Sequence, residues 1–445
     1  MATEIKKTEK SWQELTPDEK LQRRIDAWLA TPIDFVSAQA EADYKARANR
    51  FLDAATLRKI PDRVPVMPGL GSFVQHYYGY TQKDMMYDPN KVNDVSMKAT
   101  LEFQIDTQIS AAEIRVGQVM DILDYKQYRW PGHGVPDDGE AQYIEADWLR
   151  AEEYDVFMRD PTDFWQRVLL PRTVGALEPF AKLSLPSYRM PSIGDYAKPE
   201  IQTALNKLIE AGKAQAAFQQ KTAAGTKKLK ELGYPVIDRP TTSAPFDFIG
   251  DSLRGTKGVI EDMFRQPKKL LEALEWCTPL MLERGLEAAR MGIAPVVGFN
   301  LHKGSDTYMS DQQFRTFYWP SLRQVILGLI NEGLIVSGGN QGFHNKRLEY
   351  YRDVPKGRVY WSVGYGTDIA RAKEVLGGVC CISGGITADI LHHSKPEDII
   401  RHCRHVLDIA AKGGGYIFST SSMDRNAKVE NVKAMIAAVK EHGVY

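Results

Sequence analysis

The stretch between Gly378 and Asn431 constrains the fold more than any other part of the chain. It holds an apolar run at Val379–Ile382, a Gly384-Gly385 break, a helix-periodic segment from Pro396 to about Ala411, a Gly413–Gly415 stop and a second apolar run at Tyr416–Phe418. That order predicts strand, helix, strand. An apolar run without polar alternation belongs to a strand buried on both faces, so the sheet is expected to be parallel, with helices outside it. Both runs end in small or polar residues, Ser383–Gly385 and Ser419–Ser422, and the carboxyl ends of parallel strands are where ligands sit.

The rest of the chain repeats the alternation. Thr16 and Glu19 have capping-box spacing, which predicts a helix from Pro17 to about Leu29 and makes residues 1–60 a helical N-terminal extension. Strands are expected at Arg63–Met67, Ile105–Ile109, Tyr234–Asp238, Val296–Asn300, Leu334–Val336 and Val359–Val363. Residues 200–232 read as a long surface helix or a pair broken near Gly225, inserted in a barrel domain spanning 61–445. The stretch Tyr128–Gly134, with Gln142–Glu145 close behind, is rich in aromatics, Gly and Pro and is expected to be a loop covering a pocket. About eight strands separated by helices, with neither GxGxxG nor GxxxxGK[ST] present, predict a closed (β/α)8 TIM-type barrel rather than an open doubly wound sheet.

Charge narrows the partners. With 57 basic and 57 acidic residues the chain has no global field for nucleic acid or an anionic membrane. The four cysteines show no paired framework, the N-terminus has no apolar h-region, and no run of about 18 apolar residues occurs. A soluble cytoplasmic protein acting on a small-molecule substrate is expected; a homodimer stays open.

Several segments together resemble a known family: Leu301–Leu322, Arg347–Glu349 with Val354–Gly357, Ala372–Gly377, Cys381–Gly385 and Glu430–Met435. They are similar to the uroporphyrinogen decarboxylase superfamily, closest to its anaerobe-type branch grouped with corrinoid-dependent methyltransferases. The resemblance implies a (β/α)8 barrel with its pocket at the carboxyl end, and methyl transfer. Two departures qualify it. The porphyrin decarboxylase has an Arg-rich loop after its first strand, whereas Pro68–His76 has no arginine, and buried substrate carboxylates left unpaired cost several kcal/mol each. The family's zinc methyltransferases use a His-x-Cys pair and a later Cys; here those positions fall at about Ser337, Gly339 and Ser421, with Gln341 where related sequences place a Glu. Bound zinc is therefore not expected, nor any tightly bound cofactor. The corrinoid must come from a partner protein, since no DxHxxG signature is present.

The candidate catalytic residues are His76, His302, Glu145 and Asp106. Both histidines follow predicted strands, and imidazole is the usual acid or base near neutral pH. Asp106 and Glu145 act as acids if buried, or else pair with Arg115 or Arg129. The candidate substrate-binding residues are Phe73, Trp130, His133, Asp238, Asn340, Gln341 and Tyr365. His133 either lines the pocket or braces its own loop, Asp238 either meets substrate or pairs with Arg239, and the two amides suit a neutral carbonyl, ether or hydroxyl. Cys381 reads as a small buried apolar group, and the cluster His392, His393, His402, Cys403 and His405 lies on a predicted outer helix. Three functions follow in order: a methyltransferase component for O-demethylation of a methoxylated or aromatic substrate; a cofactor-free decarboxylase or lyase using Asp106 or Asp238 with Arg254 or Lys303; and a ligand- or partner-binding barrel without catalysis.

Overall fold

In the computed structural model, which describes residues 10–111, 115–185, 193–237, 240–291, 294–364, 366–420 and 423–445, six parallel strands pair in chain order. They are β1 (Thr241–Thr242), β2 (Val296–Leu301), β3 (Ile335–Asn340), β4 (Val359–Ser362), β5 (Cys381–Ile386) and β6 (Tyr416–Thr420). Two extended segments complete the circuit. Val66 bridges Phe418 of β6 in parallel, the Asp106 amide donates to the Val66 carbonyl at 3.0 Å, and the Gln108 amide donates to the Pro235 carbonyl at 3.1 Å. From Pro235 the chain runs on to Pro240, whose carbonyl accepts the Gly298 amide of β2 at 2.9 Å. The sheet thus closes as a (β/α)8 barrel, with short segments near residues 64–67 and 105–108 where full strands were expected.

The Gly384-Gly385 pair read as a break, and Ser337–Gly339 beyond the expected strand Leu334–Val336, both lie inside strands. β3 and β5 run through Ser-Gly-Gly because those residues keep pairing, Gly338 with Trp361 and Gly385 with Ser419. Glycine usually weakens a strand, and here packing demands it. A Cβ on Gly338 would lie 2.0 Å from the fully buried Trp361 ring. Gly384 and Gly385 adopt φ of +153° and +151°, which other residues rarely reach.

The amino end of the barrel is plugged by the N-terminal helices α1 (Pro17–Leu29) and α2 (Ala38–Ala55). Thr16 accepts the Glu19 amide and Glu19 reaches back to the Thr16 amide, so α1 starts where the spacing predicts. Leu21, Ile25 and Trp28 of α1 and Phe51 and Leu52 of α2 share one core with Val296, Ile335, Tyr360, Cys381 and Ile417 of the strands. The first helices are thereby part of the barrel's own core.

The connection after segment 105–108 carries the insertion. Tyr128–Pro131 pairs antiparallel with Gln142–Tyr143, so the expected loop holds a small sheet. Helix α3 (Pro199–Glu231) runs 33 residues without a break. Gly225 lets α3 approach the helix Pro89–Phe103: an added Cβ would sit 2.2 Å from Asn93 Oδ1. Helix α4 (Pro245–Ser252) follows β1, and α5 (Pro396–Ala410) joins β5 to β6. Among the described residues no helix is long and apolar enough to cross a membrane.

Candidate functional site

At the carboxyl end of β2 the chain turns through His302 and Lys303, and α4 faces that turn. Asp247 and Asp251 lie four residues apart on α4 and so on one face. The buried Asp247 carboxylate accepts the backbone amides of His302 at 3.1 Å and Lys303 at 2.9 Å and the Tyr318 hydroxyl at 2.7 Å. These three bonds fix the turn. Asp251 then takes the side chains: His302 Nδ1 lies 2.7 Å from Oδ2 and Lys303 Nζ 2.6 Å from Oδ1. Lys303 Nζ also donates to Thr256 Oγ1 at 3.1 Å, and the Thr256 amide donates to Glu145 Oε1.

Burial, with the Asp251 charge beside it, pushes the Asp247 carboxyl up to about 6, against the pull of the Tyr318 hydrogen bond. Burial also acts on Asp251, but the hydrogen bonds from His302 and Lys303 and their charges outweigh it and hold that carboxyl below its ordinary range. The Asp251 hydrogen bond raises His302 in turn, more than burial lowers it. His302 is thus held by Nδ1, and its Nε2 has no protein partner among the described residues.

This cluster opens on a cavity of about 800 Å³ lined by His302, Lys303, Asp251 and Glu145 on its polar side. The remaining wall is largely aromatic: Tyr125, Tyr128 and Tyr143, Phe157 and Trp165 come from the insertion, and Phe248 and Trp276 from helices after β1. A second cavity, of about 720 Å³, opens at the mouth of the barrel among the carboxyl ends of β2 to β6 and shares no lining residue with the first.

Comparison with known proteins adds the family. Residues 182–442 match uroporphyrinogen decarboxylase (URO-D). The chain belongs to the URO-D family. Among solved structures, a methyltransferase from Methanosarcina mazei matches with a TM-score of 0.55 at 15% identity, over 89% of this chain and 98% of that one. At that identity the likeness carries the fold. No curated protein matches.

The sequence candidates separate in space. His302 and Glu145 meet in the aromatic cavity, and Asn340 and Gln341 line the barrel mouth. His76 lies in neither; its Nδ1 is 4.0 Å from Asp138 Oδ1. Asp106 is fully buried in an ion-pair cluster, accepting from Arg50 Nη1 at 2.7 Å, from Arg63 Nη1 and Nη2 at 2.7 and 2.8 Å and from the Val66 amide at 2.7 Å. Its oxygens fasten α2 to the first barrel segment, so it is not available as a general acid. Phe73 packs in the core against Tyr77 and Phe103, and Trp130 packs on Met86 and Met120. His133 stacks on Trp130 at 4.3 Å and pairs with Asp121 at 2.9 Å, which braces its own loop. Asp238 and Tyr365 lie outside the described residues.

Sequence reasoning missed Asp247, Asp251 and Tyr318. The i, i+4 acids just after β1 were the available signal. Arg254, expected to hold a carboxylate, is buried against Asp262 at 2.7 Å and the Leu149 carbonyl at 2.8 Å.

A thiol-activating zinc ion needs three soft or borderline ligands and an open position. Ser337 and Gly339 fill the first two places in this URO-D member, and Ser421 lies outside the described residues. Cys277, Cys380 and Cys403 are buried elsewhere, their thiols pushed up to about 12 by burial. Of the histidine cluster, His392 pairs with Asp424 at 3.0 Å and His402 bonds the Gly385 carbonyl at 2.8 Å. Among the described residues no three His, Cys, Asp or Glu side chains converge on a metal position, so the donor set does not fit zinc.

Proposed function

We propose that this URO-D member is a methyltransferase component that demethylates a small methoxylated aromatic compound, with the methyl group passing to a corrinoid carried on a separate protein. The observation that supports it is the His302–Asp251 pair, 2.7 Å apart, at the wall of an aromatic cavity of about 800 Å³. That volume falls in the range that encloses small ligands, and the apolar wall suits an uncharged ring. Breaking an aryl methyl ether leaves the electrons of the C–O bond on oxygen, so the leaving oxygen needs a proton. His302 donates it from Nε2 while Asp251 stabilises the imidazolium through Nδ1, a role that contributes about 10²–10⁴-fold in rate. Asp247 holds the turn that aims the ring. The corrinoid supplies the nucleophile that accepts the methyl group.

The lyase reading loses support on the same geometry. A carboxylate substrate needs a cation, yet Arg254 is taken up by Asp262, and Lys303 by Asp251 and Thr256. The test is spectroscopic: the chain, a reduced corrinoid protein and methoxyphenols are mixed, and methyl-cobalt absorbance is followed with release of the phenol. Both are expected together, slowed about 10²–10⁴-fold by His302→Ala. Carbon dioxide release without any corrinoid protein would overturn the proposal in favour of a lyase.

A further inference from the structure

The proton donor accounts for only part of the aromatic cavity. Tyr128 meets Tyr125 and Tyr143 in ring contacts at 6.0 and 5.3 Å, and the Tyr143 hydroxyl donates to the Asp251 carbonyl at 2.7 Å, so these three rings belong to the wall that carries the acid. A second group is built separately. Phe157 and Trp276 meet edge to face at 4.9 Å and 63°, and Leu280, one helical turn after Trp276, and Trp165 line the cavity with them. Among the described residues no ring of the second group is in contact with a ring of the first. Two further features set the second group apart. The Leu170 amide donates to the Trp165 carbonyl five residues back, the bond of a π turn, and Trp165, Leu169 and Leu170 all line the cavity. Single π turns are rare and recur at functional sites. Trp165 is also 53% exposed and Leu280 37% exposed, which leaves large apolar side chains wet at a cavity wall.

We infer that the substrate of this cavity carries two aromatic rings, the methoxylated one against the tyrosines by His302 and the other against Phe157, Trp165 and Trp276. The inference rests on the methyl-transfer reading of His302 and narrows its substrate class. A volume of about 800 Å³ stands in the upper part of the roughly 300–1,000 Å³ that encloses drug-sized ligands, and one methoxylated ring fills only a fraction of it. The second group then decides what fills the rest. A charged extension finds no counter-charge among Phe157, Trp165, Trp276 and Leu280, so its lost hydration goes uncompensated. A flexible alkyl tail gains only the area it buries. A ring set into the corner where Phe157 and Trp276 meet edge to face gains offset or edge-to-face contacts beyond that area, and it covers the exposed face of Trp165.

The probes are 4-methoxyphenol with one ring, 4′-methoxybiphenyl-4-ol with two, and 4-hexylanisole with one ring and an alkyl tail. Binding is measured by calorimetry on the full chain alone, and release of the demethylated phenol is followed separately with a reduced corrinoid protein. The biphenyl compound is expected to bind about tenfold or more tighter than 4-methoxyphenol, and tighter than 4-hexylanisole. Trp165→Ala should cut the biphenyl-to-methoxyphenol affinity ratio by about fivefold or more, whereas Trp165→Phe, which keeps a ring, should preserve most of it. Trp165 is largely exposed, so neither change threatens the fold. The inference is overturned by a wild-type ratio near one, by equal or tighter binding of 4-hexylanisole, or by a ratio that Trp165→Ala leaves unmoved. Tight, Trp165-dependent biphenyl binding without phenol release would strike the methyl-transfer reading and leave the two-ring site standing. Release of hydroquinone from 4-methoxyphenol with no biphenyl advantage would do the reverse.

Discussion

Replacing Asp106 by alanine separates a structural acid from a catalytic one. Its carboxylate accepts four hydrogen bonds of 2.7 to 2.8 Å, three of them from Arg50 and Arg63, in a position with no solvent exposure. Arg50 keeps Asp62 at 2.5 Å, but among the described residues Arg63 is left with only the Val64 carbonyl. Removing one partner of a buried ion pair costs about 3–5 kcal/mol because the remaining charge stays buried. Unfolding entropy of about 2.1 cal/mol/K per residue, over 445 residues, comes to about 0.9 kcal/mol/K, so the midpoint should fall by about 3–5 °C. The assay is thermal denaturation followed by circular dichroism, with turnover per folded molecule measured below the transition. Stability should fall and turnover should hold. A midpoint within 1 °C of wild type together with lost turnover would refute the structural assignment and return Asp106 to the chemistry.

Other consequences follow from the same geometry. Asp247 is raised to about 6 from an ordinary 3.8, so the folded protein binds more protons than the unfolded chain between those values and this group's contribution to stability falls as pH rises through that window. Urea denaturation from pH 3.5 to 7 should show the stability difference between wild type and Asp247→Asn shrinking by about 3 kcal/mol across the window; a flat or growing difference contradicts the burial argument. Asp251→Asn removes the group that raises His302, so the alkaline fall of the pH–rate profile should move to lower pH, and an unmoved limb would detach Asp251 from the acid. Gly225→Leu should destabilise by about 1–3 kcal/mol through the clash with Asn93, read from the denaturation midpoint, whereas a helix break at that position would make the change neutral or stabilising.

Local rules made much of the fold legible. The capping pair at Thr16 and Glu19 set the start of α1, and Pro396 and the Gly413–Gly415 run, with positive φ throughout, set the limits around α5. Parallel architecture followed from continuous apolar runs. What misled was glycine: the Ser-Gly-Gly segments of β3 and β5 look like breaks locally, and only the Trp361 and Phe418 rings packed against them show why glycine is needed. The site was half legible for a related reason. A histidine just past a strand is visible in sequence, but the helix face turned toward it depends on tertiary packing, so Asp247 and Asp251 went unnoticed beside His302. His76 follows a predicted strand as His302 does, and Asp106 sits inside one, yet neither placement tells whether the neighbouring charge is a structural arginine, a loop acid or a cavity. The aromatic wall came largely from the insertion: the aromatic, Gly- and Pro-rich stretch expected to cover a pocket supplies Tyr128, Tyr143 and Glu145, whereas Tyr125, Phe157 and Trp165 come from segments without that composition.

The claim that matters most is that His302 hands a proton to the leaving oxygen. Methyl transfer rates for a series of substituted anisoles, from 4-nitroanisole to 4-methoxyanisole, measured with wild type and His302→Gln, test it directly. Protonation matters little when the phenolate leaves easily and much when it leaves poorly. The account predicts a small loss for the nitro compound and a loss approaching about 10²–10⁴-fold for the methoxy compound, so that the variant depends far more steeply on leaving-group basicity. An equal loss across the series would contradict it and leave His302 as a binding residue only.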